Sequence, residues 1–86
     1  MTTTLHTLRH QVDTNLDTLR HLLCERRDHL DRDIADFVAD YLVSLERDLQ
    51  LAVAERAEGR LLLIAEDVDD LLADTRLRIV RRGGQL

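Results

Sequence analysis

The stretch CERRDHLDRDIADF, residues 24–37, decides how this chain folds. Before and into it, Leu5, Leu8, Val12, Leu16, Leu19, Leu23 and Leu30 step by three, four or seven residues. At 100° per residue they share one arc of a helix, with Leu22 beside it. After it, Ile34, Phe37, Val38, Tyr41, Leu42, Leu45, Leu49, Ala52 and Val53 form a second arc, rotated from the first but overlapping it. Continuous helix through the stretch gives one long rod suited to a coiled-coil dimer. A break gives a hairpin. We place the boundary near His29 to Asp31, where an aspartate is suited to cap the next helix.

Few residues interrupt helix elsewhere. The chain has no proline and three glycines, and its other residues are mostly helix formers. Gly59 follows the long second segment and is placed as its C-cap. A third segment carries Leu61, Ile64, Val68, Leu71, Leu72 and Ile79 on a helical face. RLLLIA, residues 60–65, also has the composition of a short buried strand. The acidic helical repeat that follows it favours helix. The threonines at the start can cap the first helix, Thr4 foremost. The expected fold is therefore all-α, a helical hairpin or three-helix bundle with coiled-coil-like packing, and dimeric. Helices are expected at about 4–27, 31–58 and 60–78 in one domain, 1–80, with 81–86 as a flexible tail. Asn15 and Arg26 fall where the first seam wants apolar residues, and such polar positions select register and partner number.

Composition narrows the function. The chain has 86 residues, one domain at most. With one Phe, one Tyr and no Trp, the core must be built from Leu, Val, Ile and Ala. In so short a chain burial and conformational entropy nearly cancel, so self-association would add useful stability. The net charge is −5 and every positive charge is Arg. An acidic chain is a poor general nucleic-acid binder, because phosphate contacts need an electropositive face. A single cysteine forms no internal disulfide. The start, MTTTLHTLRHQ, lacks a basic-then-apolar signal pattern. The longest apolar run, LLLIA, is far short of the ~20 residues of a membrane span. No membrane association is expected, and the cytoplasm is the expected location.

Several clusters carry potential chemistry. Cys24 stands with His21 and Asp28 at helical spacing, away from the leucine arc. These are ligand types that zinc uses, but the CxxC spacing is missing and an exposed or interface thiol is the preferred reading. His6 and His10 form an i,i+4 pair without the glutamate of a metalloprotease motif. Asp33, Asp36 and Asp40 share one flank, and Glu66, Asp67, Asp70 and Asp74 make a second acidic concentration. Carboxylates can share a proton or position Mg²⁺. No histidine follows a glutamate by three residues, as a helical di-metal site would need. The acidic faces are read as solvated, partner-facing surfaces that suit an Arg-rich protein. The end of the chain reverses the charge with Arg76, Arg78, Arg81 and Arg82. Cations favour the last turns of a helix, and they can also meet an acidic face of another subunit. No catalytic residue, cofactor or metal is expected.

Leu8, Arg9, Val12, Asp13, Leu22, Leu23 and Arg26, within residues 8–27, resemble the first helix of the small all-helical chorismate mutases. The resemblance implies an all-helical isomerase in which Arg9 and Arg26 hold the carboxylates of an anionic ring substrate. It also implies a lysine at the substrate's ether oxygen, and this chain has none. The family is not assigned on this likeness. The expected function is a small helical protein–protein interaction module, whether adaptor, structural or inhibitory. It would act through apolar stripes and acidic faces, with itself and another protein as partners. The mutase-type enzyme is the alternative.

Overall fold

The leucine arcs meet one another inside a single chain. The computed structural model describes the backbone of residues 2–83 and the side chains of residues 6–83. Three helices run Thr2–Glu25 (α1), Arg32–Ala54 (α2) and Glu58–Arg81 (α3), and a 3-10 turn at Arg27–His29 links the first two. No strand occurs among the described residues, so RLLLIA lies in helix. Val12, Leu16, Leu19 and Leu23 of α1 bury against Val38, Leu42, Leu45 and Leu49 of α2 and Leu61, Ile64, Val68, Leu72 and Ile79 of α3. Ala35, Ala52 and Ala65 complete the core. The seam expected to be shared between helices is filled by the third helix of the same chain, and the result is a three-helix bundle measuring 43 × 20 × 16 Å.

Residues 26–31 break the helix where the sequence places the boundary. The His29 and Leu30 amides donate to the Arg26 and Arg27 carbonyls, both at 3.0 Å. Leu30 then turns extended, at φ −121° and ψ 142°, and its side chain is buried in the core. Asp31 occupies the N-cap position of α2 without a side-chain capping bond. Its carboxylate instead pairs with Arg82, at the far end of the sequence.

The second connection departs from expectation. Gly59 does not cap α2; it lies in the first turn of α3. The helix ends at Ala54, and Arg56 takes the left-handed conformation, φ 55°. The Arg56 amide donates to Val53 at 3.2 Å and the Ala57 amide to Ala52 at 2.9 Å. This pair of bonds is a Schellman motif, with an arginine at the position that usually holds glycine. The general preference for glycine at this position points three residues too far along the chain, to Gly59. α3 also runs further than expected, through Arg81, with Gly83 left-handed at φ 83° behind it. Arg81 and Arg82 thus belong to the end of α3, whereas residues 84–86 of the expected tail lie outside the described residues.

Leu8, Ile34 and Tyr41 are half-buried against the core, as their spacing implied. Phe37 is not: it is 58% exposed, on the outer flank of α2. Its ring packs against Tyr41 at a tilt of 43°, centroids 5.8 Å apart. The side chains of Leu5 and Thr4 lie outside the described residues. Thr75, which the hydrophobic pattern did not select, is fully buried and its hydroxyl donates to the Leu71 carbonyl at 2.7 Å. No helix among the described residues is long and apolar enough to cross a membrane.

Two stability measurements check this core and these turns. Leu19→Ala should cost about 3 kcal/mol in urea unfolding, as a fully buried leucine should. Gly59→Ala and Arg56→Gly should each stabilise by up to about 1 kcal/mol, visible as a higher thermal midpoint. Were Gly59 the cap, its alanine variant would be destabilised instead.

Candidate interaction surface

Burial of the core leaves a group of large apolar side chains outside it. Phe37 and Leu51 on α2, and Leu63 and Leu77 on α3, are each about half exposed or more. Phe37 precedes Leu51, and Leu63 precedes Leu77, by about 14 residues, which is four turns less roughly 40°. Each pair therefore shares one flank of its helix. Leu51 and Leu63 meet across the α2–α3 junction in an open groove of about 200 Å³, with Ile64 at its floor and Asp48, Arg60 and Asp67 on its rims. At the other end of the same junction a groove of about 250 Å³ has Leu30 and Ile34 as its apolar part and Arg78, Arg81 and Arg82 around it.

The charges are distributed unevenly over this junction. Arg60 is taken up by Glu55 at 3.1 Å, leaving Asp48 and Asp67 without an ion pair among the described residues. Glu66 and Asp70 are exposed and likewise without one. Asp74 holds Arg78 at 2.8 Å. Arg82 holds Asp31, and its carbonyl lies 3.4 Å from the His29 ring, so this arginine fastens the end of α3 to the α1–α2 connection. Arg76 and Arg81 are exposed. On α2, Asp33 and Asp40 are exposed, whereas Asp36 turns to Arg27 at 3.0 Å. The four terminal arginines are thus divided between intrachain ties and open surface.

The remaining polar contacts hold helices together. Asn15 donates to Asp69 at 2.8 Å, linking α1 to α3. Its place in the apolar seam finds a partner within the chain. Arg20 reaches Glu46 on α2 at 2.6 Å and pairs also with Asp17. The hydrogen bond to Glu46 holds the Arg20 guanidinium further above its already high proton affinity. Neither Arg20 nor Glu46 stood out in the sequence, because no local spacing announces a contact between different helices.

Arg20 and Glu46 line a third groove, of about 380 Å³ between α1 and α2, together with Arg9, Asp13 and Gln50. Arg9 lies 3.9 Å from Asp13. Arg26 follows Arg9 by about 17 residues, roughly 25 Å along a helix, so one chain does not bring both to one small substrate. Cys24, His21 and Asp28 are exposed, as are His6 and His10. Among the described residues no three His, Cys, Asp or Glu side chains come together as a metal cage. No protein-family model, curated protein or solved structure matches this chain.

The Arg20–Glu46 pair is partly exposed, with 44% and 35% of the side chains accessible. A double-mutant cycle with Arg20→Ala and Glu46→Ala should give a coupling of about 0.5–1 kcal/mol that shrinks with added salt. A coupling near zero at low salt would show that the pair does not hold α1 to α2.

Proposed function

We propose that this chain is a protein–protein interaction module whose contact surface is the α2–α3 face. One observation carries the reading: Phe37, Leu51, Leu63 and Leu77 stand exposed along the two helices that also present Asp48, Asp67 and Asp70. A half-exposed aromatic and leucines rimmed by charge are the make-up of a contact surface. Seven large apolar side chains stand exposed among the described residues; Val43, Leu62 and Val80 lie on other flanks, and these four share the neighbouring flanks of α2 and α3. The carboxylates favour a partner, or a region of a partner, that carries arginine or lysine, and set its orientation more than its affinity. Self-association is part of this reading. It uses the outer flanks, because the leucine seam is already filled within the chain.

Photo-crosslinking tests the surface. A photoreactive phenylalanine analogue in place of Leu63 should give a discrete protein adduct in cells expressing the chain, and the same analogue in place of the exposed His21 on α1 should not. Leu77→Asp should abolish the adduct at position 63. No adduct at 63, or equal adducts at both positions, would overturn the reading. The adduct's mass distinguishes a second copy from another protein.

A further inference from the structure

The exposed flank of α3 carries a charge sequence that complements itself. Asp67, Asp70, Asp74, Arg78 and Arg81 are all exposed. At 100° per residue they fall within about 80° of the helix surface, a single stripe. Asp67 and Arg78 or Arg81 also line the two grooves at opposite ends of the α2–α3 junction, which places the stripe on the face already described. Its charges are antisymmetric about Asp74. Asp70 and Arg78 lie one turn either side of it, at about 6 Å, and Asp67 and Arg81 two turns either side, at about 10 Å, for a rise of ~1.5 Å per residue.

We infer that the occupant of this face is a second copy of the chain, packed antiparallel with a two-fold axis beside Asp74. The inference rests on the reading of the α2–α3 face as a contact surface. A two-fold interface brings the same patch from both copies together, so every contact occurs twice. Turned about that axis, Asp67 meets Arg81 of the second copy and Asp70 meets its Arg78. Both pairs then recur with the copies exchanged. The acidic groove end of each copy comes to lie over the basic groove end of the other. Asp74 is the one like-charge meeting, and its own Arg78 already neutralises it at 2.8 Å. A parallel arrangement would set acid on acid and base on base along the whole stripe, so the pattern selects one orientation. Leu77, 48% exposed, stands three residues from the axis beside the stripe and supplies apolar area to the same contact.

Charge reversal tests the arrangement on the whole chain. Asp67→Arg with Asp70→Arg gives a basic stripe, and Arg78→Asp with Arg81→Asp gives an acidic one. Light scattering after size exclusion reads the mass, and circular dichroism shows that each variant is folded. Wild type should approach twice the 9.9 kDa chain mass as concentration rises. Each variant alone should dimerise about tenfold or more weakly, because its stripe repels itself. An equimolar mixture of the two should regain the doubled mass. If either variant fails to fold, wild type decides alone: its dimer should weaken as salt screens the ion pairs, and a salt-insensitive dimer overturns the arrangement. A wild-type mass of one chain at all concentrations overturns the second copy as occupant, while an adduct from position 63 to another protein would still uphold the contact surface. A dimer that both folded variants keep, or a mixture that stays monomeric, overturns the charge register.

Discussion

Burial of one leucine-rich seam by three helices of the same chain is the constraint from which the rest of this molecule follows. Two helices alone would leave Leu16 and Leu19 partly wet and would need another chain to cover them. The third helix supplies Leu61, Val68, Leu72 and Ile79 at that position, and the seam closes. A core without tryptophan or phenylalanine has little bulk per residue. Buried alanines at Ala35, Ala52 and Ala65 fill positions among the leucines. Leu8, Ile34 and Tyr41 pack against the margin of this core, and of the large apolar residues left exposed, Phe37, Leu51, Leu63 and Leu77 mark the outer face of α2 and α3.

Closing the seam also depends on the two reversals of direction. At the first, a buried Leu30 in extended conformation anchors the connection, and Asp31 reaches Arg82. At the second, backbone hydrogen bonds force Arg56 into a conformation that costs an L-residue about 1 kcal/mol or more. Packing of the two long helices more than offsets this. Polar contacts between elements then fix how they meet: the ion pairs of Arg20 with Glu46 and Arg27 with Asp36, and the hydrogen bond from Asn15 to Asp69, join them at separate levels.

Periodicity made the helices and most of the core legible, because an arc that repeats over several turns has a single place to go. Val12, Leu16, Leu19, Leu23, Leu45 and Leu49 are buried where the spacing put them. The helix break was legible from the overlap of two rotated arcs and an aspartate at the right place. Other features were not. Phe37 lies on the edge of its arc, and the wheel cannot tell an edge that faces a neighbouring helix from one that faces water. Arg56 became the turn residue because Ala52 and Val53 are held by packing, a tertiary fact that no local propensity contains. Asn15 looked like a selector of oligomer number, and its partner Asp69 is remote in sequence. On α3, Asp67, Asp70, Asp74, Arg78 and Arg81 were legible as charge, but their alignment on one stripe became visible only once α3 was known to run through Arg81.

An odd number of helices has a mechanical consequence. With α2 antiparallel to both neighbours, the first and last described residues emerge from opposite ends of a body 43 Å long. Tension applied through them runs along the helix axes. It loads the leucine seam in shear, so many contacts must slide together, whereas a two-helix hairpin pulled by its adjacent ends unzips one turn at a time. The same geometry makes the bundle a strut, holding whatever is joined to either end about its own length apart.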